Sequence, residues 1–236
     1  MLARLNAETK GYLKDWQAGF RQRRGCRDNI MILRTLIDKI LQQDKPLVIT
    51  FIDYTAAFDS VSHKFLDYAL GEATAKPKTR AIFRSIYTSA TTKTKVKDTQ
   101  GKHVYSESFP VRRGVIQGDI TSPLYFIIAL ETILRAHDNI IGGKGVEFGG
   151  TNLHTLGYAD DAALIDTSTA IASERVTNIA QGSEKDADMC INRMKTECMH
   201  VQRQQRVDLP TQAQADEMSL LVTFGVPNGE LRTRGR

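Results

Sequence analysis

The chain has 236 residues, 41% of them hydrophobic and 25% charged, the balance of an ordinary soluble globular protein well able to bury a core. Its net charge of +5 is compatible with a polyanionic partner. With three cysteines and no CxxC pair (Cys26, Cys190, Cys198), an apolar run at 124–130 far shorter than a membrane span, and a first stretch without a signal-peptide core, no disulfide scaffold, membrane span or secretory leader is expected. A soluble, intracellular chain is expected, in nucleus and cytoplasm if eukaryotic.

Arg21, Arg23, Arg24 and Arg27 crowd around Gly25 ahead of a helix that Asp28 is placed to cap. Ile30, Leu33, Ile37, Ile40 and Leu41 mark its apolar stripe. After Pro46, the β-branched run 47–52 reads as a buried strand that delivers Asp53 to its C-terminal end. Ser62 opens a short helix containing Phe65, Leu66 and Leu70, and Pro77 fits the first turn of another with Ile82, Phe83 and Ile86 on one face. Segments 91–96 and 103–109 alternate around Gln100-Gly101 as a hairpin. Past the loop 112–118, Ser122-Pro123 caps a strongly apolar helix to about His137. A glycine-rich connection, 142–150, leads into a strand at 153–158, answered by 162–165 across Asp160-Asp161, which puts two acids at a hairpin tip. A more polar helix from Ala170 to about Lys185 and a last strand at 196–201 follow. From Gln202 the chain turns polar and Gln-rich, and poor order is expected there.

Asp53 and the pair Asp160-Asp161 thus sit where hydrophobic strands run out. Phosphoryl transfer to a growing strand needs charge neutralisation more than covalent chemistry. Two Mg²⁺ ions roughly 3.5–4 Å apart can activate a 3′-hydroxyl and stabilise a leaving pyrophosphate. Mg²⁺ prefers a few carboxylates together with phosphates and waters. Taken singly, each aspartate also reads as a turn or cap residue. Taken together, in this order and context, Asp53, Asp160 and Asp161 read as metal ligands of a nucleotide-polymerising palm, since three like charges at close quarters repel without a cation.

Five stretches then carry a resemblance. They are Gln17-Ala18-Gly19-Phe20-Arg21 with Arg23 and Arg24; Phe51-Ile52-Asp53 through Ala57-Phe58-Asp59; Arg113-Gly114-Val115-Ile116-Gln117-Gly118-Asp119 with Ser122-Pro123-Leu124; Gly157-Tyr158-Ala159-Asp160-Asp161; and Cys190-Ile191-Asn192-Arg193-Met194-Lys195-Thr196-Glu197. In this order, over roughly residues 15–203, the chain resembles the reverse transcriptase domain of non-LTR (LINE-type) retrotransposons.

The resemblance implies an α+β fold: a right-hand polymerase palm, a small antiparallel sheet backed by helices, with partial fingers and the thumb missing. Its divisions are a partial fingers segment at 1–45, a palm at 46–203 with inserted fingers elements at about 61–112, and a polar tail at 204–236. The helices starting near Ser62 and Ser122 are expected to cover the sheet's rear face. The implied activity is RNA-directed DNA polymerase, a nucleotidyltransferase joining dNTPs to a primer 3′-hydroxyl, with two Mg²⁺ ions or Mn²⁺ as substitute. The implied partners are an RNA template, a DNA primer and dNTPs, with no membrane. The resemblance makes Asp53, Asp160, Asp161 and Lys195 catalytic, Lys195 as charge stabiliser or general acid at the leaving pyrophosphate. Ala56, Ala57, Phe58, Gln117, Gly118 and Arg21 become nucleotide-binding, with Ala56 and Ala57 amides meeting the triphosphate. Phe58 would bar a 2′-hydroxyl, or else simply pack in the core. Asp59 is expected to be structural. The chain reads as a fragment of a longer polyprotein; the competing readings are a group II intron-type enzyme or an RNA polymerase, a truncated nucleic-acid-binding remnant without turnover, and a product that never folds stably.

Overall fold

The computed structural model describes residues 1–141, 145–202, 223–225 and 231–232. In chain order the elements begin with α1 (Leu2–Glu8), α2 (Cys26–Gln42), β1 (Leu47–Ile52), α3 (Ala57–Ser60), α4 (His63–Glu72) and α5 (Pro77–Ser89). Four short strands follow, β2 (Thr91–Thr92), β3 (Lys95–Lys97), β4 (His103–Tyr105) and β5 (Phe109–Pro110), then α6 (Ser122–Ile141). The C-terminal half holds β6 (Val146–Phe148), β7 (Thr151–Leu153), β8 (Thr155–Tyr158), β9 (Asp161–Asp166), α7 (Thr169–Ala187), β10 (Glu197–Val201), β11 (Thr223–Gly225) and β12 (Leu231–Arg232).

One antiparallel sheet organises these elements, in the order β12-β11-β10-β1-β9-β8. Its centre is β1, paired with β10 from Leu47↔Val201 to Phe51↔Glu197 and with β9 from Val48↔Asp166 to Ile52↔Ala162. A strand with neighbours on both sides and cover on both faces must be apolar throughout, which is why 47–52 carries no polar alternation beyond Thr50. On one face Ile52 and Leu164 join Leu66, Leu70, Phe126 and Ile127 in the larger core. On the other, Leu47, Ile49, Leu156 and Ile165 pack with Leu36 and Ile40 of α2.

The sequence expectation of cover by the Ser62 and Ser122 helices is therefore incomplete. α7 packs on β1 and β9 as well as on α6, and α2 covers the opposite face. The composition of α7 misled because its buried side includes small and polar residues, Ala172, Arg175, Ser183 and Ala187. Arg175 is buried against Asp166 at 2.9 Å and donates to the carbonyls of His154 and Ile165 and to the Thr155 hydroxyl, tying α7 to β8 and β9.

Local starts follow the sequence with two corrections. Ser62 caps α4, its Oγ accepting from the Phe65 N–H at 3.3 Å, and Pro77 opens α5. Asp28 is not the N-cap of α2. Gly25 holds that place, and Asp28, three residues on, reaches back to accept its N–H at 2.9 Å. Ser122 starts α6, but its hydroxyl donates to the Ile116 carbonyl at 2.8 Å, while Asp119 accepts from the Thr121 N–H and hydroxyl in the preceding turn. Ile30, assigned to the apolar stripe of α2, is 60% exposed, while Ile32, Leu33, Leu36, Ile37 and Ile40 form the face that packs on the sheet. The expected hairpin at 91–109 forms in two pieces, β3 with β4 and β2 with β5, all on the surface. Most of the polar tail lies outside the described residues, as does the middle of the glycine-rich connection; β11 and β12 extend the sheet beyond β10.

Candidate functional site

β1 ends at Ile52, opposite Ala162 of β9. Asp53 follows directly, at the end of β1 where β9 begins with Asp161. β8 and β9 close their hairpin at Tyr158↔Asp161, leaving Ala159 and Asp160 as the tip. Ala159 takes φ +58°, which turns the chain sharply and sets Asp160 beside the strand ends. Asp53, Asp160 and Asp161 are thereby gathered at one end of the sheet, from segments more than a hundred residues apart.

Burial pushes the Asp160 carboxyl above the usual carboxylate range, and the charges of Asp161 and Asp53 push it in the same direction. Asp53 is half-buried, and its Oδ2 is enclosed with no hydrogen-bond partner. Among the described residues the cation beside it is Lys195, whose Nζ stands 3.7 Å from that oxygen on a side chain 68% exposed. Asp161 is exposed.

A loop frames Asp53 from the far side. Its carbonyl accepts from the Asn192 N–H at 2.7 Å, its own N–H approaches the Thr196 hydroxyl at 3.5 Å, and the Thr55 N–H donates to the Cys190 carbonyl at 2.9 Å. Asn192 also accepts from the backbone N–H groups of Lys195 and Thr196 through its carbonyl and from Met194 through its Oδ1. Asn192 and Thr196 thus set Lys195 near Asp53. The sequence reading quoted both only as parts of a motif and gave neither a role.

The segment after Asp53 turns through Ala56, at φ +47°, into α3. Ala57 is buried, and Phe58 is half-buried, stacked on Phe126 at 4.1 Å and edge-on to Phe20 at 6.1 Å. Asp59 is exposed, and its N–H donates to the Ala56 carbonyl at 2.9 Å. The loop before α6 is stitched to this segment: the Val115 N–H donates to the Phe58 carbonyl at 2.7 Å and the Gly114 N–H to the Val61 carbonyl at 2.8 Å. Gly114 has φ +79°, and a Cβ there would stand 2.7 Å from the Asp59 backbone, so only glycine fits. Further along, Gln117 and Gly118 are exposed, Gly118 at φ +89° with open space where a Cβ would be. Arg21 folds back on its own loop, Nη1 donating to the Lys14 and Gln17 carbonyls at 2.7 and 3.1 Å. Arg24 is likewise engaged, with Asp15.

Among the described residues no three His, Cys, Asp or Glu side chains converge to hold a metal ion by themselves. The enclosed oxygen of Asp53, which makes no hydrogen bond, and the crowded carboxyl of Asp160 are nevertheless suited to a hard divalent cation whose remaining ligands are phosphates and water.

Residues 1–221 match the reverse transcriptase (RNA-dependent DNA polymerase) family. The chain belongs to that family. It is 29% identical over 155 residues to the retrovirus-related Pol polyprotein from type-1 retrotransposable element R2 of Nasonia vitripennis, covering 66% of this chain and 14% of that protein. To the Pol polyprotein from element R2DM of Drosophila melanogaster it is 30% identical over 149 residues, 63% of this chain and 13% of that one. This reverse transcriptase domain therefore spans about a seventh of these relatives' length. The structure resembles apo telomerase from Candida tropicalis truncated from its C-terminal domain, with a TM-score of 0.57 at 14% identity over 98% of this chain and 44% of that chain. It also resembles telomerase from Candida albicans in complex with a fragment of telomeric RNA, with a TM-score of 0.55 at 15% identity over 99% of this chain and 36% of that chain. The expected polymerase fold is what the chain forms. Among the described residues no helix is long and apolar enough to cross a membrane.

Proposed function

We propose that this reverse transcriptase domain catalyses addition of dNTPs to a DNA primer on an RNA template, as part of a retrotransposon Pol protein. The observation that carries the reading is the meeting of Asp53 with the Asp160-Asp161 tip, with a carboxylate oxygen enclosed and without a hydrogen bond. Asp53 and Asp160 are the ligands for divalent metal, and Asp161 completes or tunes the site. Two Mg²⁺ ions bound there would supply activation of the primer 3′-hydroxyl and neutralisation of the triphosphate.

The chain's own groups do the rest. Lys195, held near Asp53 by the 190–196 loop, places an ammonium where the pyrophosphate would leave, as charge stabiliser or proton donor. Ala56, in the left-handed region, and Ala57 turn backbone amides toward the triphosphate. Phe58, braced between Phe126 and Phe20, bars a 2′-hydroxyl. Gln117 and Gly118, open to solvent, receive the sugar or template strand. Arg21 serves the nucleotide by shaping the 14–21 loop through its two carbonyl contacts. Residues 46–203 act as the palm and 61–112 include inserted fingers elements. The net charge of +5 favours the phosphate backbone.

The experiment is primer extension on an RNA template with dNTPs or rNTPs and Mg²⁺ or Mn²⁺. Extension with dNTPs, much weaker with rNTPs, is the expected result. A folded chain that binds the hybrid but extends nothing would point to a binding module.

A further inference from the structure

We propose that Gln17 is a positioning residue for the Asp160 carboxylate, aiming it from the N-terminal segment through the backbone of Ala159. The inference rests on the reading of Asp160 as a metal ligand. Gln17 is fully buried, at 0% exposure. Its Oε1 accepts the Ala159 N–H at 3.0 Å and the Gly19 N–H at 2.8 Å, while its Nε2 donates to the Ala159 carbonyl at 3.1 Å. One amide side chain thus satisfies both polar groups of the residue immediately before Asp160. Ala159 sits at φ +58°, a conformation that an alanine adopts only when its surroundings hold it there.

The main chain around Gln17 would suffice for a purely structural clasp. The Ala18 N–H donates to the Gly157 carbonyl and the Gly157 N–H to the Trp16 carbonyl, both at 2.8 Å, so residues 16–18 cover the outer edge of β8. The approach is as close as it can be: a Cβ on Gly19 would lie 2.2 Å from the Ala159 nitrogen, and one on Gly157 would lie 2.7 Å from the Trp16 ring. The Asn29 side chain adds a donor to the Gly157 carbonyl at 2.9 Å. With the edge already paired, the three Gln17 bonds are an addition aimed at the turn itself. They fix the ψ of Ala159 and hence the direction in which Asp160 leaves the hairpin. Polar groups that orient a ligand from behind are worth about 10–100-fold in metal affinity or activity.

The test compares the intact chain with Gln17→Met, close in size but without hydrogen bonds, and with Asp160→Asn. Mn²⁺ affinity is read by electron paramagnetic resonance, single-turnover extension on an RNA–DNA hybrid, and melting temperature by calorimetry. A folded Gln17→Met chain with Mn²⁺ affinity and extension rate both lower by about 10–100-fold, dNTP KM nearly unchanged and hybrid binding intact, is the expected result. Wild-type Mn²⁺ affinity and rate in a merely less stable Gln17→Met chain would overturn it. If Gln17→Met does not fold, amide exchange in the intact chain decides: Ala159 protected like the amides of β9 supports the clamp, and rapid exchange there overturns it. An intact chain that extends no primer, yet binds Mn²⁺ in a manner sensitive to both Gln17 and Asp160, would sink the polymerase reading and leave this inference standing.

Discussion

At the scale of single residues, the site is built so that the metal-free chain is strained by its own acids. Burial, then Asp161 and Asp53, raise the Asp160 carboxyl, so the folded chain holds that proton more tightly than the unfolded one. The stability this contributes is complete below the ordinary carboxylate range and is lost as pH rises through the raised value. At pH 7 in EDTA, Asp160→Asn is therefore expected to raise the melting temperature, and Mg²⁺ to raise that of the wild type but not of the variant. A variant less stable than wild type in EDTA would count against the crowding. Phe58, braced by two rings, supplies a second prediction. Phe58→Val is expected to lower discrimination of dNTP from rNTP by at least about tenfold, roughly 1.4 kcal/mol, measured as a ratio of kcat/KM values. Unchanged discrimination would assign Phe58 to core packing alone.

At the scale of elements, the loop before α6 and the turn after Asp53 behave as one unit because backbone bonds from Gly114 and Val115 join them. Gly114→Ala forces a Cβ against Asp59 at an unfavourable φ, and is expected to cost about 1–3 kcal/mol and to raise the dNTP KM. Urea unfolding and steady-state kinetics would check both parts. The buried Arg175–Asp166 pair anchors α7 to the sheet. Arg175→Met removes the guanidinium from the buried Asp166 carboxylate, with an expected loss of about 3–5 kcal/mol, while adding Asp166→Leu should recover part of it. Most elements could be read from the sequence: β1 from its unbroken apolar run, α4 and α5 from Ser62 and Pro77, and β8 and β9 from apolar runs flanking two acids. What could not be read was which face each helix covers. The polar composition of α7 concealed a helix packed on the central strands, and the spacing of Ile30 suggested a contact that α2 does not make.

At the scale of the whole molecule, the sheet brings the end of β1, with Asp53, beside the β8–β9 hairpin that carries Asp160, and the segment 16–19 closes behind that hairpin. The acids were legible because strand-end aspartates in a fixed order are a local pattern. The clasp from Gln17 was not, because it joins positions 142 apart and depends on two glycines having no side chain. The parts played by Asn192 and Thr196 were hidden for the same reason, since their hydrogen bonds with the Asp53 backbone exist only once β10 has paired with β1. Hybrid binding by a chain of net charge +5 is expected to weaken as salt rises and to be nearly indifferent to neutralisation of a single site acid. Binding and chemistry should therefore separate. The decisive measurement is primer extension with dNTPs on an RNA template by the intact chain and by Asp53→Asn, with hybrid affinity measured in parallel. Extension by the intact chain, abolished in Asp53→Asn while hybrid affinity is kept, is the predicted result; equal extension by both chains would contradict a metal-dependent site at Asp53 and Asp160.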